Sequence, residues 1–228
     1  MNKFVNILLL ILLLPTVGVV IFVGFDLPIE FLRISGSNLP YKQELFFVFA
    51  GLILIVGGRR SIRRWVGLRM VSQTKRYIWN QPMHKTRVKQ AVMYLYLEAF
   101  MHLFFAVGTY VISPEAWVVS AVLVLLAVDH LVFGLMGKYF NKFRVGITKS
   151  AIVFSDRDIK VAYFSGLRKV STQQQSLFFD YIKELQIAVP SGSIAPQNRK
   201  EFRETIETIV NRDVVFFSES FKSFEDQI

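Results

Sequence analysis

The chain has 228 residues, of which 53% are hydrophobic, 14% aromatic and none cysteine. With a mean hydropathy of +0.41 it is too apolar for an ordinary soluble domain. The missing cysteines exclude disulfide frameworks, thiolate metal sites, thiol catalysis and a lipoprotein anchor. The net charge of +10 does not point to nucleic acid: ten of the 27 cations fall between Arg59 and Gln90, a stretch without an acid, and the other 17 are matched by 17 carboxylates. A cationic excess confined to one segment beside apolar stretches is the positive-inside pattern of a membrane protein.

Four apolar segments follow in chain order. The first, Val5 to Phe25, runs 21 residues without a charge, against roughly 20 needed to cross a bilayer core. It stays apolar from Pro15 to Phe25 with no Ala-x-Ala site, so an uncleaved anchor is expected. Asp26 to Glu44 then reads as a polar, irregular outer loop, broken by Pro28, Gly36 and Pro40. The second segment, Leu45 to Gly58, offers only 14 residues, a length that equally suits a buried or re-entrant helix. Charge decides: if it crosses, the cationic stretch falls on the same side as Lys3, Lys138, Lys142 and Arg144. The third and fourth segments, Ala91 to Ile112 and Ala116 to Gly137, have 22 residues each. Ser113, Pro114 and Glu115 join them, and so short a link permits only an antiparallel hairpin. Four spans with both termini and residues 59–90 cytosolic are therefore expected, the lipid bilayer being the first partner.

The cationic stretch also carries Ile62, Trp65, Leu68 and Met70, and two readings stand side by side. It resembles a juxtamembrane helix whose Arg59, Arg60, Arg63, Arg64, Arg69, Lys75 and Arg76 contact anionic headgroups. It also reads as a topogenic charge cluster and nothing more.

Inside the hairpin, Glu98 and His102 stand at i and i+4 on the third segment, while Asp129 and His130 are adjacent on the fourth. Antiparallel pairing about Pro114 puts Glu98 level with residue 130, about 12 Å from the inner end at 1.5 Å of rise per residue. Ionisable groups at that depth are costly. The four groups could satisfy one another as a polar lock, relay protons, or bind a divalent metal. No Ser-His-Asp arrangement, phosphate-binding loop or other catalytic motif is legible, and no cofactor is called for.

From Phe143 the long apolar runs give way to short alternating stretches. Arg144 to Thr148, Ala151 to Ser155, Ile159 to Phe164, Ser176 to Ile182 and Leu185 to Val189 read as antiparallel strands, with Lys149-Ser150 and Lys183-Glu184 as tight connections. Asn198 is the expected N-cap of a helix reaching about Asn211, with Glu201 as capping-box partner and Phe202, Ile206, Ile209 and Val210 on one face. That stripe has the preceding sheet to cover.

The order of these elements, through Gly146-Ile-Thr-Lys-Ser-Ala-Ile-Val-Phe, Val161-Ala-Tyr-Phe, Leu185-Gln-Ile-Ala-Val-Pro190 and Glu201-Phe-Arg-Glu-Thr-Ile206, resembles the pleckstrin-homology-like domains that bacteria attach to transmembrane helices. Such a domain has about seven strands, so Arg168 to Gln175 or the link from Tyr139 is expected to supply more than the five above. The eukaryotic relatives bind inositol lipids through a basic loop between the first two strands, which here would be Lys149 and Ser150. The resemblance implies a bacterial inner-membrane protein with a transmembrane domain over residues 1–138 and a cytosolic, antiparallel α+β domain over residues 139–228, capped by a C-terminal helix. It further implies a non-enzymatic assembly role, through a protein partner or self-association, with no nucleic acid involved. The competing expectation is a small transporter or membrane enzyme built on Glu98, His102, Asp129 and His130.

Overall fold

A computed structural model of the chain describes residues 2–30, 34–182, 185–211 and 213–224. Helix α1 spans Asn2–Gly24, α2 Lys42–Ser72, α3 Lys85–Ile112 and α4 Trp117–Tyr139. Among the described residues these four helices are long and apolar enough to cross a membrane. The outer loop is more ordered than expected: β1 (Pro28–Ile29) pairs antiparallel with β2 (Ile34–Ser35). The link from Ser113 turns as a single helical turn over Pro114–Ala116, with the Ala116 amide donating to Ser113 O at 2.9 Å.

The second apolar segment departs most from expectation. Instead of stopping at Gly58, α2 continues through the cations to Ser72. No proline lies between Pro40 and Pro82, and Arg, Leu and Met are good helix formers, so the backbone has no reason to leave the helix there. The stretch expected as a basic loop is therefore helix as far as Ser72. It is followed by a turn over Thr74–Arg76 and by strand β3, Trp79–Pro82.

Contacts divide the chain into two compact units: residues up to Ile62 with Tyr94–Phe133, and Arg63–Met93 with everything from Gly134 onward. The sheet-bearing unit thus begins well before the boundary expected at residue 139. The helical unit has a core of Leu9, Val20, Val23, Phe46, Ala50, Ile53, Ala106, Val119, Leu123 and Leu126. Two polar contacts reinforce it. Thr109 Oγ1 and Ser120 Oγ, both buried, lie 2.7 Å apart between α3 and α4. Lys42 Nζ, at the start of α2, lies 2.8 Å from Glu115 in the turn between α3 and α4.

The second unit holds two sheets. In the first, β3, β4 (Arg144–Ile147), β5 (Ala151–Ser155) and β6 (Ile159–Tyr163) lie in that order, all antiparallel. In the second, β7 (Leu167–Gln173), β8 (Ser176–Tyr181) and β9 (Gln186–Pro190) form an antiparallel meander, with β10 (Phe216–Phe217) added parallel to β7. Every β5 residue is buried, as fits a strand paired on both sides and covered on both faces. Helix α5, Arg199–Ile209, buries Phe202 and Ile206 completely, and the Phe202 ring meets Trp79 edge-on at 5.3 Å. A short α6, Glu219–Lys222, brings Phe221 onto Phe217 and Phe224.

All five expected strands keep their places within a residue, the last as Gln186–Pro190. The connection at Lys183 and Glu184 lies outside the described residues. Three strands join them: β7, where more strand was expected, and β3 and β10. Expected capping of α5 by Asn198 does not occur. Asn198 closes a preceding turn over Pro196–Asn198 with φ −101° and ψ −2°, and its side chain makes no capping bond. Because β3 pairs Trp79 with Ile147 and Pro82 with Arg144, Lys149 and Ser150 link the second and third strands of the first sheet. Its first two strands are instead connected by the whole α3–α4 hairpin.

Candidate functional site

Glu98, His102 and His130 of the hairpin come together, and Arg60 of α2 joins them. Glu98 on α3 faces Arg60 on α2, whose Nη2 lies 2.9 Å from both carboxylate oxygens. On its other side Glu98 Oε2 lies 3.1 Å from His130 Nε2 on α4. His130 Nδ1 is 2.6 Å from Leu126 O, and His102 Nδ1 is 2.6 Å from Glu98 O. A carbonyl only accepts, so each of these δ nitrogens carries the hydrogen. The two imidazoles lie with centroids 5.1 Å apart and planes tilted by 31°. Arg60 and His130 are buried, at 8% and 4% exposure.

Three helices therefore place an anion between a guanidinium and an imidazole. Helical rise brings them level: Glu98 lies 14 residues before Ile112 and Arg60 lies 18 residues after Lys42. At 1.5 Å per residue these are distances of about 21 and 27 Å from the Ile112 end of α3 and the Lys42 end of α2, and the long Arg side chain bridges the difference. Asp129, expected in the same cluster, is half-buried on α4 one position before His130. Among the described residues no group of three or more carboxylates and imidazoles is arranged to hold a metal ion.

Beside the cluster lies a cavity of about 320 Å³, lined by Arg60, Glu98 and His102 and otherwise by apolar side chains including Leu9, Leu13, Leu97, Met101, Phe105 and Leu123. It is greasy, with one ionised edge.

The cations expected at headgroups divide. Arg59, Arg69, Lys75 and Arg76 are exposed and Arg63 is half-buried. Arg60 and Arg64 are buried, at 8% and 2% exposure, which corrects their assignment as lipid contacts: a side chain enclosed by protein does not reach a headgroup. Arg60 belongs to the Glu98 site instead. The signal for this was the shortness of the second apolar run, which leaves its first cations at the depth of Glu98 if the helix simply continues.

No protein-family model, curated protein or solved structure matches the chain.

Proposed function

We propose that this is a multi-pass protein of the bacterial inner membrane that holds a cytosolic pleckstrin-homology-like module beside the bilayer as a scaffold, without catalysis. In this reading both termini are cytosolic and the exposed cations of α2 meet anionic headgroups. The module assembles with a protein partner or with a second copy. The carrying observation is the state of Glu98. Its carboxylate is closed off by Arg60 on one side and His130 on the other, which is how a polar lock satisfies a buried charge. Further support for the module's identity lies in its element count. Leaving out two-residue β10, seven strands in two sheets precede a helix that packs on Trp79.

A second reading, proton handling by a small transporter or membrane enzyme, is favoured by the cavity beside Glu98 and His102. Reconstitution into liposomes carrying a trapped pH dye separates the two. A scaffold gives no more proton flux than empty liposomes, whereas a wild-type flux well above that background would overturn the scaffold. Single cysteines at Ser61, Ser220 and Ser37 test the topology in intact cells: only the one at Ser37 should react with an impermeant thiol reagent.

A further inference from the structure

Arg199, the first residue of α5, is 8% exposed, yet its Nε is buried with no hydrogen-bond partner among the described residues. Its one contact of note is with a ring: Cζ lies 5.0 Å from the centroid of Phe224. Burial pushes its ionisation down, and among the described residues no carboxylate opposes the effect. A buried cation without a counter-ion is costly, and folded chains rarely leave such a group unanswered.

Arg199 lines a pocket of about 260 Å³ with His84, Arg87, Gln175, Ser191 and Gly192. These come from three places that backbone bonds hold together. The His84 amide donates to Ser193 O at 3.3 Å, and the Ser191 amide donates to Gln175 O at 2.8 Å. The second guanidinium, Arg87, is already neutralised, since its Nε and Nη2 both bond Asp156 Oδ2. The pocket therefore carries the unbalanced charge of Arg199. Around it stand an amide, a hydroxyl, an imidazole and a glycine, and a Cβ at Gly192 would meet open space.

We propose that this pocket binds a phosphate group, with Arg199 as its charge partner and Gln175, Ser191 and His84 as further donors. A guanidinium fork suits any oxyanion, but the additional donors on several sides suit a tetrahedral group with three free oxygens better than a planar carboxylate. The phosphate belongs either to a soluble monoester or to a lipid headgroup. This ligand site goes beyond the scaffold reading and stands whether or not that reading holds.

The test uses the full chain in phosphatidylcholine nanodiscs, titrated with inorganic phosphate and with glycerol phosphate at ionic strength held constant by chloride. Wild type is expected to show saturable calorimetric binding and a rise in unfolding temperature. Arg199→Gln should weaken binding at least tenfold, and Gln175→Ala should weaken it less. A parallel preparation containing phosphatidate tells the sources apart. If the lipid blocks uptake of the soluble ester, the headgroup is the ligand; if it does not, the soluble ester is. If Arg199→Gln fails to fold, Arg199→Lys keeps the charge, loses the fork, and should still weaken binding. Absence of saturable binding in wild type with every probe, or equal binding by wild type and a folded Arg199 variant, overturns the proposal.

Discussion

Arg60 Nη2 stands 2.9 Å from each oxygen of Glu98, so one donor nitrogen is shared by the whole carboxylate, and the two charges offset each other among largely apolar helices. Removing one partner of a buried pair typically costs about 3–5 kcal/mol, while replacing both with apolar residues is often neutral. Glu98→Gln alone and Arg60→Met alone should each lower membrane abundance and unfolding temperature sharply. The double variant Arg60→Met, Glu98→Met should recover most of the loss. A thermal-unfolding double-mutant cycle measures this, and additive losses would show that the two residues act independently.

The apolar helices, the hairpin and most strands could be read from the sequence because period, length and turn residues are local properties. What could not be read was non-local. Trp79-Asn-Gln-Pro82 is too short and too polar to announce a strand. It becomes one only because β4 offers an unpaired edge that Asn80 and Arg144 secure, with Arg144 Nε donating to Asn80 Oδ1 at 2.6 Å. Within the candidate site, Glu98 and His130 were legible from depth arithmetic, which uses helical rise alone. Arg60 was not, since its partner depends on α2 continuing past Gly58.

That edge strand yields a prediction about autonomy. A fragment of residues 139–228 lacks β3, so the edge of β4 is left open and the Trp79 contact to Phe202 is lost. Buried aromatic side chains contribute about 3–5 kcal/mol when truncated to Ala, a large share of a small domain's stability. The fragment should show no cooperative unfolding and should aggregate through the exposed edge. In the full chain, Asn80→Ala should cost about 1–3 kcal/mol, because its amide also donates to Val71 O at 2.8 Å. Calorimetry of fragment and variant checks both.

Tyr181 gives a pH dependence. Its hydroxyl donates to Tyr163 O at 2.8 Å, and burial pushes its ionisation up to about 12. An unfolded chain ionises the same group near pH 10 (about 10 for free tyrosine). The folded state thus holds the proton longer: the contribution is complete below the unfolded value and is lost as pH rises from there through the folded value. Ultraviolet titration should resolve a late phenol that disappears in Tyr181→Phe, and the variant should lose stability less steeply in that window than wild type.

Two glycines of α1 should respond in opposite ways to the same substitution. At Gly24 an added Cβ would stand 2.2 Å from Ile112 O and 2.6 Å from Ile112 Cγ2. The nearest obstacle is main chain at the end of α3 and cannot rotate away, so Gly24→Ala must push the ends of α1 and α3 apart. Overpacking of this kind costs about 1–3 kcal/mol. At Gly18, inside the same helix, nothing lies within 4 Å of the added carbon. There alanine only removes backbone freedom from the unfolded chain, worth about 0.5–1 kcal/mol in favour of the helix. Thermal unfolding of both variants in one lipid preparation should place Gly24→Ala below wild type and Gly18→Ala at or above it. A Gly24→Ala protein as stable as wild type would show that α1 and α3 do not approach so closely.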